Sequence, residues 1–185
     1  METLFRQIDG YCERTDASYW AEPINAVTNL GFVVVAVLMF SRVTDPIGRA
    51  LCVILGCIGV GSYLFHTHAT VWAVILDVVP IMLFSLLYIF ASNLRFWNMP
   101  IWAAVLGTVL YFPYSAGVSW AAAQFPFLEI SASYWPLPVL IAGYGLALLR
   151  RHPGTGRGLL IGAALLCASL VARSVDESVC VLSLI

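Results

Sequence analysis

Residues 50–94 read ALCVILGCIGVGSYLFHTHATVWAVILDVVPIMLFSLLYIFASNL and carry a single charged side chain, Asp77. A helix of about 17–25 mostly apolar residues crosses the hydrocarbon core of a bilayer. This stretch therefore holds two spans joined by a short turn. The rest of the chain repeats the pattern. Charge-free runs also cover 23–41, 96–128, 130–149 and 158–172. The whole chain is 61% hydrophobic and 10% charged, against about 45–50% apolar and 25% charged in soluble domains. The net charge is −1, and arginine supplies every positive side chain. Composition excludes a soluble enzyme, a disordered chain and a nucleic-acid binder, which needs a basic surface. The expected fold is an all-α polytopic transmembrane helical bundle in one domain.

The expected spans lie near 23–41, 47–65, 71–92, 100–118, 134–149 and 157–174. The last is short, and Gly156, Gly158 and Gly162 blur its start. Pro113 and Pro126 obscure the end of the fourth. Residues 120–128, with Trp120, Phe125 and Phe127, read as an aromatic interfacial segment. The first 22 residues are polar and lack the pattern of a signal peptide, so the first span is expected to act as an uncleaved insertion signal. Arg42, Arg49, Arg95, Arg150, Arg151 and Arg157 fall in alternate loops; Arg6, Arg14 and Arg173 fall on the other side. The positive-inside rule then puts the N-terminus outside the cytoplasm.

In so apolar a chain, polar side chains at span positions mark the informative places. Ser62 and His66 are one turn apart on the second span, and Asp77 enters the third. Imidazole, hydroxyl and carboxylate thus converge near one membrane face. Imidazole is a zinc ligand, but the group reads equally as a polar packing cluster. His68 reads as a turn residue. Glu22, Asn25 and Asn29 form a polar stripe at the start of the first span, with Asp9, Glu13 and Asp16 upstream. Carboxylates and amide oxygens together suit Ca²⁺; helix capping by Glu22 is the alternative. Arg173, Asp176 and Glu177 end the sixth span, where Arg173 and Asp176 are spaced to pair as a structural contact. Cys52, Cys57 and Cys167 fall inside spans. Cys12 and Cys180 both fall on the expected outer side, and a Cys12–Cys180 disulfide is expected.

These blocks resemble the alkaline ceramidase family. Tyr11-Cys12-Glu13 and Trp20-Ala21-Glu22-Pro23-Ile24-Asn25-Ala26-Val27-Thr28-Asn29 are similar to its opening, in a form like that of bacterial members. Gly61-Ser62-Tyr63-Leu64-Phe65-His66 with Asp77-Val78-Val79-Pro80 is similar to its second signature. Arg173-Ser174-Val175-Asp176 followed by Cys180 is similar to the lead-in to its third. The resemblance implies a seven-helix hydrolase of a bacterial inner membrane, cleaving the amide of ceramide or a related N-acyl lipid. It implies zinc held by three histidines, one matched by His66, with Ser62 and Asp77 in catalysis. It also implies a calcium site at Glu13 and Glu22; the upstream acid, Asp9, is displaced by one position.

The departure is at the end. The implied His-x-x-x-His of a seventh helix is absent, and the sequence stops at Ile185. The expectation is six spans of seven, in a chain cut short, with hydrolysis impaired; loss of the zinc site is the alternative. By resemblance, Asp77 would be the base and then the acid for the leaving amine, and Ser62 an oxyanion donor. An inactive lipid-binding protein of the same fold and a small transporter or scaffold stay open as rivals.

Overall fold

Proline and one acidic cap begin the helices. Proline lacks an N–H and has φ preset for a helix, so it suits the first helical position. In a computed structural model, which describes the backbone of residues 2–8 and 10–183 and the side chains of 3–8 and 10–176, four of the longer helices start this way. They are α1 (Pro23–Phe40), α2 (Pro46–His68), α7 (Pro136–Leu148) and α8 (Pro153–Ser183). Between them run α3 (Val71–Phe96), α4 (Ile101–Val109), α5 (Tyr111–Ala122) and the short α6 (Pro126–Glu129). Asp45 caps α2 by accepting the Gly48 N–H at 2.6 Å. No strand forms among the described residues; a single antiparallel bridge joins Gln7 and Thr70. The fold is the expected all-α polytopic bundle.

Among the described residues, five helical stretches are long and apolar enough to cross a membrane: Pro23–Phe40, Pro46–His68, Val71–Phe96, Ile101–Ala122 and Pro153–Asp176. One expectation needs correcting. The sixth expected span is not short: its helix starts at Pro153 and runs straight through the glycines. The fifth is the short one, Ala132–Leu148 including a leading 3-10 turn. In the fourth, Pro113 removes the N–H that would reach back to Val109, and the helix breaks at Leu110 into α4 and α5. Unpacked faces carry exposed Val34, Val37, Leu38, Trp102, Ile161 and Leu165. Such faces suit lipid rather than water.

The chain divides into two compact units, Met1–Ser92 and Asn93–Ile185. In the first, α1 and α2 form an antiparallel hairpin held by small residues. A Cβ at Gly59 would lie 3.0 Å from the Asn29 carbonyl oxygen, and one at Gly56 would lie 3.6 Å from Ala36 Cβ. Helices in lipid associate by such close backbone approach, since apolar burial gives little there. In the second unit α7 and α8 cross at Gly145 and Gly156, where a Cβ on Gly156 would sit 2.8 Å from the Gly145 carbonyl oxygen. Buried Asn93 organises the other end of that unit. Its Oδ1 accepts from Tyr144 Oη at 2.6 Å, and its Nδ2 lies against Gly107.

Candidate functional site

Glu22 stands at the N-cap of α1, yet its side chain makes no capping bond. Pro23 has no N–H to satisfy, and Ala26 N–H already bonds the Glu22 carbonyl at 2.9 Å. The N–H groups of Ile24 and Asn25 remain. Both donate to Glu13, at 2.8 and 3.1 Å. Capping is therefore done by Glu13, from the preceding segment, and the Glu22 carboxylate is released to point elsewhere.

It points at His66. Glu22 Oε2 lies 2.5 Å from His66 Nδ1, and Glu22 Oε1 accepts from Arg14 Nε at 2.6 Å. Arg14 then donates from Nη2 to the His66 carbonyl at 3.0 Å and from Nη1 to the Asp16 carbonyl at 3.2 Å. All three side chains are buried: 5% exposed for Arg14, 2% for Glu22 and 6% for His66. A buried carboxylate needs a cation and hydrogen bonds around it, and here it has both. A carboxylate only accepts, so Nδ1 of His66 carries the proton and Nε2 is the ring nitrogen left for another group. Tyr11 packs edge-on against the same ring, with centroids 4.8 Å apart.

The N-terminal segment is tied down just beyond His66. Ile8 N–H donates to the Ala69 carbonyl at 2.7 Å, and Val71 N–H to the Arg6 carbonyl at 3.2 Å. Ala69 ends α2 in the left-handed region at φ 44°, fully buried, a conformation that disfavours a side chain. The pairing with Ile8 and the Ala69 N–H bond to Phe65 hold it there. Tyr19 and Tyr63 hydroxyls meet at 3.0 Å, and the His68 ring sits beside Tyr19 and Trp72. Exposed Asp16 takes hydrogen bonds from the Ser18 side chain and then its backbone N–H, which hold its carboxyl below the ordinary range.

Asp77 reaches this end of α2 through a backbone device. Pro80 lies inside α3, so the Leu76 carbonyl one turn earlier loses its intrahelical donor. That carbonyl presses on Gly61, where any Cβ would overlap it, and the Asp77 nitrogen lies 3.1 Å from the same point. Only glycine admits this approach. Buried Ser62 follows Gly61 directly, so Ser62 and Asp77 occupy facing turns, with His66 one turn further along α2.

Asn29 Nδ2 bonds the Asn25 carbonyl at 2.8 Å within α1, and the Asn25 N–H bonds Glu13. Arg173 lies over the Tyr134 ring at 5.3 Å, and Asp176 is exposed. Cys12 is disulfide-bonded, while Cys52, Cys57 and Cys167 are free thiols. Asp9, Glu177 and Cys180 lie outside the residues whose side chains are described. The sequence reading missed Arg14, which it counted as a topology marker; its place beside Glu13 and eight residues before Glu22 carries no signal of burial.

Neither implied metal fits these side chains as they stand. Among the described residues no three His, Cys, Asp or Glu side chains cluster to hold a metal ion. For zinc, His66 is present, but His68 is engaged beside Tyr19 and Trp72, and His152 belongs to the second unit, beside Phe96. For calcium, Glu13 is committed to α1 and Glu22 to Arg14 and His66.

Fold and site define an all-helical integral membrane protein with a buried Arg–Glu–His cluster beside paired serine and aspartate positions. The chain belongs to the ceramidase family, whose model matches residues 8–181. No curated protein and no solved structure matches it. Membership brings ceramide-hydrolysing function in general, and with it a membrane lipid as substrate.

Proposed function

We propose that the end of α2 that carries Ser62 and His66, with Asp77 of α3, is the site at which this chain engages the amide of ceramide or a related N-acyl lipid. The products are a long-chain base and a fatty acid. The family match over residues 8–181 carries the reading, and the Gly61–Leu76 approach supports it by facing Ser62 with Asp77. In the reaction, Asp77 takes the proton of the attacking water and delivers it to the leaving amine. Ser62 donates a hydrogen bond to the oxyanion that develops on the amide carbonyl. The acyl chain enters between helices from the bilayer. The N-terminus lies outside the cytoplasm, as the arginines place it, and the membrane is a bacterial inner membrane.

Zinc dependence belongs to the proposal, and so does impairment. A resident zinc would supply an activated water, but a single imidazole does not hold it. The chain as written is therefore expected to turn over little substrate. The test is hydrolysis of N-acyl-sphingosine by the purified chain, with zinc analysis of the same sample. Turnover near background with little zinc is expected; turnover abolished by a chelator and by His66→Ala would contradict the impairment.

The absence of a metal cluster among the described residues favours a second reading, a lipid-binding protein without turnover. It predicts saturable, zinc-independent ceramide binding that no added ligand set converts to hydrolysis.

A further inference from the structure

The Arg14 guanidinium sits at the centre of an oxygen cage. Its three nitrogens reach one carboxylate oxygen and two backbone carbonyl oxygens: Glu22 Oε1 at 2.6 Å, the His66 carbonyl at 3.0 Å and the Asp16 carbonyl at 3.2 Å. One carboxylate with carbonyl oxygens is the donor kind that calcium takes. The cage also joins three segments: the N-terminal segment at Asp16, the start of α1 at Glu22 and the last turn of α2 at His66. A bound cation there would tie the same three together. Arg14 and Glu22 are almost fully buried, so water does little to screen their attraction.

We propose that Arg14 replaces a divalent cation in this chain. The guanidinium takes Glu22, one of the two glutamates at which the resemblance implies calcium, supplies the positive charge that Glu22 requires, and clamps the N-terminal segment and α1 to the His66 turn, while the other, Glu13, caps α1. Calcium is then neither bound nor needed. Arg14 is a positioning residue: it touches His66 only through the backbone carbonyl and through Glu22. The inference does not rest on the hydrolase reading, because binding and stability test it without turnover.

The experiment uses the full chain in detergent micelles. Uptake of radioactive calcium is measured by equilibrium dialysis, and thermal unfolding is followed with added calcium or with EGTA. The wild-type chain is expected to take up no calcium at roughly 1 mM, the weak end of protein calcium sites, and to unfold at one temperature in both conditions. Arg14→Ala empties the cage and leaves Glu22 without its cation. Its unfolding temperature is expected to fall by roughly 5 °C or more, and calcium is expected to restore part of the loss. Should Arg14→Ala fail to fold, Arg14→Gln takes its place with the same expectation. Stoichiometric calcium on the wild type, an EGTA-sensitive wild type, or a destabilised variant indifferent to calcium each overturns the replacement.

Discussion

Glu22 and His66 are separated by 44 residues, and their side chains meet at 2.5 Å. The contact exists because Glu13 takes over the capping of α1 and leaves Glu22 free to turn toward α2. It fixes which ring nitrogen of His66 carries the proton, and so which one faces away from Glu22. Carboxylates in that position orient metal-binding imidazoles in many sites. Glu22→Gln keeps the shape and removes the charge, leaving Arg14 buried without its counter-ion. Breaking a buried ion pair from one side costs about 3–5 kcal/mol. The unfolding temperature of Glu22→Gln should fall clearly below that of the wild type; equal stability would mean the pair contributes nothing.

The backbone approach of α2 and α3 predicts a contrast between two glycines on one helix. A Cβ at Gly61 would overlap the Leu76 carbonyl, while one at Gly56 would meet Ala36 Cβ at an ordinary 3.6 Å. Gly61→Ala must force the helices apart, at a cost of roughly 1–3 kcal/mol or more. Gly56→Ala should be close to neutral. Thermal unfolding of the two variants side by side checks this, and equal melting would refute the close approach.

Glu13 should matter through α1 alone. Glu13→Ala leaves the Ile24 and Asn25 N–H groups without their acceptor, a loss of about 0.5–2 kcal/mol for a helix cap. Amide hydrogen exchange at the first turn of α1 should speed up while the far end of the helix stays unchanged. Uniform exchange along α1 would argue against the cap.

The thiols give a chemical count. Cys12 is disulfide-bonded, and Cys52, Cys57 and Cys167 are free. We propose Cys180 as the partner of Cys12, as the sequence led us to expect. Alkylation of the unfolded, unreduced chain should label Cys52, Cys57 and Cys167 only. Peptide mapping should then recover Cys12 linked to Cys180; an alkylated Cys180 would refute the pairing.

The helices were legible because hydrocarbon tolerates so few charges: runs without Asp, Glu or Arg mark α1 almost to its ends and most of α2 and α3, whereas α8 extends well past its run on both sides. The break at Leu110 was less so, since a proline shifts hydrogen bonds without changing hydropathy. Ser62, His66 and Asp77 stood out as polar residues in apolar runs. Glu22 was visible too, but its partner was not. Nothing in the local sequence tells Glu13 from Glu22 as the cap, or a buried Arg14 from a solvated one. Those assignments depend on where the N-terminal segment folds, through Ile8 and Ala69, and that is tertiary information.

We propose an amidase site at Ser62, His66 and Asp77, where no cluster of three metal-binding side chains forms with His66 among the described residues. The most direct measurement is release of fatty acid from N-acyl-sphingosine by the purified chain, alone and co-expressed with a membrane helix carrying two histidines four residues apart. Zinc uptake and hydrolysis are expected only in the pair, with both lost in His66→Ala and the rate cut by roughly 10²–10³-fold in Ser62→Ala. Equal hydrolysis without the added helix, or zinc bound by the pair with no hydrolysis, would contradict the account.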